Sequence, residues 1–159
     1  MSCTIKKSNS YDEKYLDLAF LMAQKAYEND DVPIGSVLVF KNKVTCGYND
    51  KYNTKLVLRH AEINAICSMC ELIGDWRING SILYVTVFPC LMCIGVIIEA
   101  RISKVVFGII NDKNYKYKEI LEDAGVEVIG PVHNEKYIKI LSDFFKEKRQ
   151  WRQWYAFFL

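Results

Sequence analysis

Three side chains that bind soft metal ions, and a carboxylate beside one of them, lie between residues 60 and 93. His60 and Glu62 stand in the sequence HAE, and Cys90 and Cys93 stand in the sequence PCLMC. One imidazole and two thiolates suit a tetrahedral Zn²⁺. Three protein ligands leave the fourth position for water, which predicts a catalytic zinc site and not a structural one.

The spacing of these residues indicates that two helix starts meet at the metal. Pro89 fits the first turn of a helix, and Cys90 and Cys93 then lie at positions i and i+3 on one face. The positive end of the helix dipole favours the thiolate forms that bind metal. His60 likewise suits the first turn of a helix, from which the carboxylate of Glu62 can reach the water without being a ligand. The apolar positions of that helix include Ala61, Ala65, Ile66, Met69 and Ile73.

A second pair of cysteines offers another zinc spacing. Cys67 and Cys70 precede Cys90 and Cys93 in an arrangement that fits a four-cysteine structural site. Zinc knuckles lie in tight turns, however, whereas this pair falls inside a strongly helical segment without a glycine knuckle. Packing of both thiols as small apolar side chains is the favoured interpretation.

The remaining pattern predicts an α/β fold. We expect an amphipathic helix over residues 11–29, a hairpin of strands 34–40 and 44–48, and a polar loop before the His60 helix. A strand at 82–87, the Cys90 helix and a strand at 104–109 form a crossover unit, so these two strands should be parallel. A polar loop at 111–116, a short helix at 117–124, a strand at 126–129 and a helix from about 134 to 151 or beyond complete the order. This order gives a five-stranded mixed sheet with helices on both faces.

Length and composition predict a single globular domain over residues 1–159. Half of the residues (51%) are hydrophobic and 25% are charged, so disorder is excluded as the general state, and a net charge of +2 does not by itself indicate nucleic acid. We expect a flexible N-terminus at 1–10 and an aromatic extension at 150–159. The first ten residues lack the apolar region of a secretory signal, and no apolar run is long enough to cross a bilayer. Six cysteines without such a signal favour reduced thiols and the cytoplasm.

Beyond the metal motif, the chain resembles the tRNA-specific adenosine deaminase (TadA) family of the cytidine deaminase-like superfamily. HxE followed by PCxxC indicates only the superfamily, and the last of the matching segments, on the C-terminal helix, narrows the resemblance. These segments are Val32–Gly35, Gly47–Asn49, His60–Ile63, Leu83–Thr86, Pro89–Cys93, Ala100–Ile102, Val105–Gly108 and Leu141–Phe145. The resemblance covers roughly residues 15–149. It implies a three-layer α/β/α fold, a Zn²⁺ cofactor, Glu62 as the proton carrier, a homodimer, and hydrolysis of adenosine to inosine in a tRNA anticodon loop.

The resemblance also implies where the substrate binds. Residues expected to contact it are Ile34, Asn49, Asn111, Lys113, Phe145 and Arg149. In the family, the residue that matches Asn49 contacts the target base, although asparagine at the end of a strand is also a frequent turn residue.

One residue near a metal ligand in the sequence and one loop after the predicted strand at 104–109 depart from the family's pattern. Phe88 stands before Pro89 where the family usually has Glu, which removes local hydrogen bonds but no metal ligand. After Gly108, the family has an Asp, a Lys and a glycine-containing loop, and here the positions carry Asn111, Lys113 and Tyr115. Loss of the carboxylate at 111 removes a charge near phosphates and a sugar contact, which predicts a weaker preference for RNA over DNA.

Other functions stay open from the sequence alone. A deaminase of a free base or nucleoside (guanine, cytosine or adenosine) would share the zinc chemistry; the altered loop favours this alternative and the segment Leu141–Phe145 opposes it. A deaminase of a single-stranded DNA base is a further alternative. A non-catalytic partner subunit is a third hypothesis, which Glu62 opposes. The C-terminal extension contains the aromatic residues Trp151, Trp154, Tyr155, Phe157 and Phe158. It could stack on unpaired bases or pack against the domain or a dimer partner.

Overall fold

The computed structural model describes residues 11–132 and 135–158, with side chains for all of these except 112 and 150–158. Two predictions concern parts of the chain outside this description: the flexibility of residues 1–10 and the roles of the aromatic side chains in the C-terminal extension. Within the described ranges, no helix is both long and apolar enough to pass through a bilayer.

Five strands and seven helices alternate along the described chain. The strands are β1 (Gly35–Phe40), β2 (Lys43–Tyr48), β3 (Ile82–Val87), β4 (Lys104–Ile109) and β5 (Glu127–Ile129). The helices are α1 (Glu13–Glu28), α2 (Lys51–Thr54), α3 (Ala61–Ile73), α4 (Leu91–Glu99), α5 (Asp112–Tyr115), α6 (Lys118–Asp123) and α7 (Glu135–Phe158). The predicted elements are confirmed to within a few residues at their ends.

The sheet is mixed, as the sequence predicts. Its strand order is β2-β1-β3-β4-β5. β1 pairs antiparallel with both β2 and β3, whereas β4 pairs parallel with β3 and β5. The parallel pair β3–β4 is joined through α4, as a crossover connection requires. The amino end of α4 therefore lies at the carboxyl edge of β3.

Helices cover both faces of this sheet and give three layers. On one face, α1 and α7 pack over the core cluster formed by Leu16, Ala19, Val37, Tyr84 and Val106. On the other face, α3, α4 and α6 contribute to a larger core with β3 and β4, which includes Met69, Leu83, Ile97, Phe107 and Leu121. Because both faces of the central strands are buried, the sequence of β3 is a nearly continuous apolar run without alternation of apolar and polar residues.

One glycine lets α1 approach the sheet at backbone distance. A Cβ atom at Gly35 would stand 2.0 Å from the carbonyl oxygen of Ala19 and 2.4 Å from the backbone nitrogen of Ala23. Such separations are far below van der Waals contact, so any larger residue at position 35 would displace α1. Position 35 follows Ile34, one of the expected substrate contacts.

Four details differ from the sequence predictions. Pro89 does not occupy the first turn of α4; Cys90 is the N-cap and the helix begins at Leu91. His60, also expected in a first turn, is the N-cap of α3, which begins at Ala61. Both polar loops contain a single helical turn: α2 lies in the loop before His60, and α5 lies in the loop after β4. In α5 the side-chain oxygen of Asn111 accepts a hydrogen bond of 2.9 Å from the backbone of Asn114. A capping residue therefore orders a segment whose composition reads as a loop.

Candidate active site

The site forms where the amino ends of α3 and α4 meet. His60 is the N-cap residue of α3 and Cys90 is the N-cap residue of α4, both with extended backbone angles. Neither side chain bonds to the free N–H groups of its own helix. Cys93 lies in the first turn of α4 and is buried. The two N-cap side chains are therefore available to bind a metal between the helices.

The three potential ligand atoms form a nearly equilateral triangle. The Nδ1 atom of His60 lies 3.6 Å from the sulfur of Cys90 and 3.6 Å from the sulfur of Cys93, and the two sulfurs are 3.7 Å apart. Tetrahedral angles with Zn–S of about 2.3 Å and Zn–N of about 2.0 Å require about 3.8 Å between sulfurs and about 3.5 Å between sulfur and nitrogen. The triangle fits Zn²⁺, and three ligands leave the fourth position open.

The protonation of the triangle also suits a cation. The hydrogen bond between the two thiols lowers the pKa of Cys90 to about 3, and a hydrogen bond with His60 lowers it further. The same thiol pair and burial raise the pKa of Cys93. The hydrogen bond with Cys90 raises the pKa of His60, and the charge of Lys51 opposes this rise. A divalent cation in the triangle would displace the protons of its ligands.

Glu62 lies in the first turn of α3 and is 4% exposed. Burial raises the pKa of its carboxyl to about 7; the charge of Cys90 adds to the rise, while a hydrogen bond with Cys93 opposes it. Among the described residues, the group that could hold a metal contains His60, Cys90 and Cys93 but not Glu62. The carboxyl thus lies beside the ligand triangle without belonging to it. Such a group can both accept and return a proton near neutral pH.

Asn49 and Ile34 lie together beside the ligand His60. The side-chain oxygen of Asn49 accepts a hydrogen bond of 2.9 Å from the backbone N–H of Ala61, and the backbone N–H of Asn49 donates to the carbonyl of Ile34 at 3.1 Å. Asn49 is 6% exposed. Because the oxygen is engaged by α3, the side-chain NH₂ of Asn49 is the group left for a ligand. The capping and binding interpretations of Asn49 are therefore compatible.

A glycine and a serine of the sheet contact the backbone at the amino end of α3. A Cβ atom at Gly47 would stand 2.1 Å from the carbonyl oxygen of Ala61 and 2.6 Å from the nitrogen of Ala65. The buried hydroxyl of Ser36 donates to the same Ala61 carbonyl at 2.7 Å. Since Ala61 lies between His60 and Glu62, these contacts hold the backbone that carries both side chains.

The other expected substrate contacts lie on two surface elements. Asn111 and Lys113 are exposed after the carboxyl end of β4. That end is joined to the site because the N–H of Phe88 donates to the carbonyl of Ile109 at 2.8 Å. Phe145 and Arg149 are exposed on α7, where the ring of Phe145 packs edge-on against Phe144. Contact of these four residues with substrate stays a prediction.

Phe88 shows how the chain accommodates the absence of Glu before Pro89. The ring is 2% exposed and lies edge-on to Phe107, with centroids 4.9 Å apart. Both rings belong to the larger core. An apolar contact thus occupies this position, and the polypeptide that leads to Cys90 is held by packing and by the backbone bond to Ile109.

The second cysteine pair does not join the metal ligands. Cys67 is exposed on α3, and the thiol of Cys70 lies 3.9 Å from the carbonyl oxygen of Trp76. Within residues 11–132 and 135–158, the cluster of metal-binding side chains comprises His60, Cys90 and Cys93 alone. The four-cysteine alternative is therefore not supported.

Two residues near the site were missed by the sequence analysis. The guanidinium of Arg59, directly before His60, donates to the side-chain oxygen of Asn64 at 3.2 Å, and Asn64 donates to the carbonyl of Tyr48 at 2.8 Å. The available signal was an arginine adjacent to a metal ligand. Its pairing with Asn64, five residues later, depends on how α3 begins.

Comparisons with known proteins agree with this chemistry. Residues 9–109 match the model of the cytidine and deoxycytidylate deaminase zinc-binding region. A tRNA-specific adenosine deaminase of Buchnera aphidicola subsp. Schizaphis graminum is 38% identical over 150 residues, covering 90% of this chain and 99% of that protein. The tRNA-specific adenosine deaminase of Bacillus subtilis is 35% identical over 147 residues, covering 87% of this chain and 91% of that protein.

A solved structure gives the same result for the fold. A protein from a study of A-to-I editing by tRNA:A34 deaminases at the wobble position of transfer RNA superimposes with a TM-score of 0.75 and 31% identity. The match covers 82% of this chain and all of that one. The predicted cytidine deaminase-like fold and the zinc-binding deaminase motif are thereby confirmed. The chain belongs to the zinc-dependent deaminases of the cytidine and deoxycytidylate deaminase family and, within it, to the tRNA-specific adenosine deaminases.

Proposed function

We propose that this protein is a zinc-dependent aminohydrolase that converts adenosine to inosine in an unpaired loop of tRNA, at the wobble position of the anticodon. The observation that carries the proposal is the triangle of His60, Cys90 and Cys93, at zinc-binding distances, with the buried carboxyl of Glu62 beside it. The named activity of relatives that are 35% and 38% identical over most of the chain supports the choice of adenosine in tRNA.

The reaction needs a proton carrier, and Glu62 is placed to be one. A Zn²⁺ held by the triangle would supply an activated water for attack on the carbon that carries the amino group. Glu62 takes a proton from that water and delivers it to the departing amine. The C–N bond of the amino group breaks, a C–O bond forms, and ammonia leaves. For adenine the attacked carbon is C6, so the product is inosine.

Asn49 and Ile34 would position the base. The side-chain NH₂ of Asn49 donates to a ring acceptor, because its oxygen is already bonded to Ala61. Ile34 is half-buried next to it and offers an apolar surface for the ring. A base in this pocket must leave its stack, which favours a nucleotide in an unpaired loop.

Asn111, Lys113, Phe145 and Arg149 are proposed as contacts with the surrounding polynucleotide. Lys113 and Arg149 offer positive charge to phosphates, and Phe145, at 47% exposed, offers a ring for stacking. Asn111 uses its oxygen to cap α5, so only its NH₂ is free to contact a sugar. The absent carboxylate at this position supports a relaxed preference for RNA over DNA. Matched RNA and DNA hairpins, with Asn111→Asp alongside, test it, and an unchanged preference would contradict it.

We further propose a cytoplasmic homodimer built from one domain per chain. Large apolar side chains close to the metal ligands in sequence support the dimer: Leu56 is 53% exposed, Val57 68%, Leu58 56% and Leu91 52%. The described cysteines are free thiols, which suits a reducing compartment. Sedimentation velocity of the zinc-loaded protein measures the oligomeric state, and a monomer at micromolar concentration would contradict the dimer.

One assay tests the activity against its alternatives. Zinc-loaded protein is incubated with an anticodon stem-loop carrying a single loop adenosine, with the matching DNA hairpin, and with free adenosine, guanine and cytosine. Ammonia release and inosine content are measured for each. We expect turnover on the stem-loop. Turnover on a free base alone would support the alternative of a free-base deaminase, and no turnover on any of them would support a non-catalytic subunit.

A further inference from the structure

The segment between Asn49 and His60 forms a closed, basic loop. Its ends are joined because the backbone N–H of Asp50 donates to the carbonyl of Arg59 at 3.0 Å. Between these ends lie Lys51 and Lys55, so residues 50–59 carry three positive charges and one negative charge. The loop leads directly into the ligand His60, and it therefore places positive charge at the edge of the active site.

The guanidinium of Arg59 is held in a defined place on this loop. Its Nη1 atom donates to the Oδ1 atom of Asn64 at 3.2 Å. The Nδ2 atom of Asn64 donates to the carbonyl of Tyr48 at 2.8 Å, which turns Oδ1 toward the arginine. Tyr48 precedes Asn49, so the relay attaches Arg59 to the neighbours of both His60 and Asn49. A guanidinium fixed in this way loses less conformational entropy when it binds an anion.

Arg59 has no acidic partner among the described residues. Each ion pair found there involves other cations; Arg77, for example, pairs with Asp75 at 3.1 Å. The side chain of Arg59 is exposed, and the bond to Asn64 uses one of its five N–H groups. The remaining donors have the fork geometry that binds phosphate oxygens in pairs.

We propose that Arg59 binds a phosphate of the polynucleotide strand next to the target nucleotide, and that Asn64 positions it for this contact. The inference rests on the proposed function, because it requires a strand whose base enters the pocket. Lys51 and Lys55, on the same loop, add positive charge beside Arg59. Arg59 thereby favours a base within a strand over a free nucleoside.

Binding measurements with charge variants test the contact. In the Glu62→Gln background, which prevents turnover, we compare Arg59→Gln and Arg59→Lys by fluorescence anisotropy with the stem-loop at several salt concentrations. We expect Arg59→Gln to raise Kd about tenfold, as for a lost charged hydrogen bond. The slope of log K against log salt should fall by about 0.7–0.9. Arg59→Lys should keep the slope and lose part of the affinity. Lys14→Gln, a matched loss of one exposed charge on α1, should change neither.

Modified substrates identify the phosphate and exclude a structural role. Stem-loops with one uncharged methylphosphonate before or after the target adenosine are tested with both proteins. We expect a methylphosphonate at one of the two positions to weaken binding of the stem-loop to the unaltered protein. The same methylphosphonate should not weaken binding to the Arg59→Gln variant any further. In the catalytically intact chain, Arg59→Gln should raise KM about tenfold and change kcat less than twofold.

Several results would overturn the inference. Equal Kd values and equal salt slopes for the unaltered protein and the Arg59→Gln variant would do so. The inference would also fail if each methylphosphonate weakened binding of the variant as much as it weakens binding of the unaltered protein. A change in oligomeric state of Arg59→Gln would assign the residue to a protein interface instead. If the unaltered protein itself neither binds nor deaminates the stem-loop, the proposed function fails, and this inference fails with it.

Discussion

The side-chain oxygen of Asn49 accepts a hydrogen bond from the backbone N–H of Ala61, at 2.9 Å. Ala61 lies between the ligand His60 and the buried Glu62, at the start of α3. One carboxamide therefore caps the helix that begins after the metal ligand, and its NH₂ is the group that we propose to bind the base. Under this proposal, the same side chain positions both the base and the start of the helix that carries the proton carrier.

Substitutions at Asn49 separate these two tasks. Asn49→Asp keeps an oxygen for the Ala61 N–H but has no donor for the base, so we expect normal zinc content and a 10- to 100-fold lower kcat/KM. Asn49→Ala removes both contacts and should also lower the free energy of unfolding by about 1 kcal/mol. Zinc analysis, urea unfolding and steady-state kinetics measure these effects. Full activity of Asn49→Asp would show that the base is bound without this donor.

Replacement of Glu62 tests the proton carrier. Glu62→Gln keeps the size of the side chain in its buried position, so we expect one zinc per chain and an unchanged melting temperature. Without a proton carrier kcat should fall 10²- to 10⁴-fold. Glu62→Ala should also keep zinc and lose turnover. Atomic emission spectroscopy and ammonia release are the measurements, and retention of more than a tenth of the activity would refute the assigned role.

Removal of a ligand should abolish metal binding, and removal of a non-ligand thiol should not. We expect His60→Ala and Cys93→Ser to lower zinc affinity more than about 100-fold, whereas Cys67→Ser keeps one zinc per chain. Chelation of the unaltered protein should lower its melting temperature, since zinc at about 1,000 times its Kd stabilises a folded protein by about 4 kcal/mol. Loss of zinc from Cys67→Ser would restore the four-cysteine alternative.

Two glycines give opposite predictions for the same substitution. Gly47→Ala would drive a methyl group into the Ala61 carbonyl, 2.1 Å away, and should lower the free energy of unfolding by about 3 kcal/mol or more. It should also lower zinc affinity, because Ala61 adjoins His60. Gly95 lies on the exposed side of α4 with open space around it, so Gly95→Ala should stabilise by about 0.5–1 kcal/mol. Urea unfolding of both variants measures the difference, and equal stabilities would contradict the close approach.

Stability above pH 10 should depend on Tyr137. Burial, with the charges of Asp17 and Glu13, raises the pKa of its phenol to about 12. The unfolded chain loses this proton near pH 10, so the contribution to stability is complete below pH 10 and is lost as the pH rises through 12. Relative to Tyr137→Phe, the unaltered protein should lose up to about 3 kcal/mol over this range. The same difference should stay constant from pH 6 to 9, and a constant difference up to pH 12 would contradict the assignment.

Much of the site could be predicted because its signals are local. The thiols of PCLMC lie three residues apart on one helix start, and HAE places a carboxylate two residues from the imidazole, so ligand identity follows from spacing. What spacing does not give is the contact between segments. The bond from Ala61 to Asn49 spans 12 residues, and the bond from Asn64 to Tyr48 spans 16. Both hydrogen bonds depend on how α3 packs against β2.

The fold was predictable for a similar reason, and its departures have local causes. The periodic apolar positions of α1 and the nearly continuous apolar run of β3 can both be recognised in the sequence alone. The turns α2 and α5 have four residues each, which is too short to show the 3.6-residue spacing of apolar side chains that identifies a helix in a sequence. Their formation depends on single contacts, such as the capping of α5 by Asn111. The Pro89 prediction was wrong because Cys90, with its extended backbone, takes the N-cap position.

The separation of the ligands along the chain has a consequence for maturation. Cys93 follows His60 by 33 residues, and β3, which pairs with β1, lies between them. During synthesis on the ribosome, the three-ligand site therefore stays incomplete until residue 93 has been added. A bound zinc would join two helix starts that are far apart along the chain, so we expect proteases to cleave the metal-free protein faster than the zinc-loaded protein.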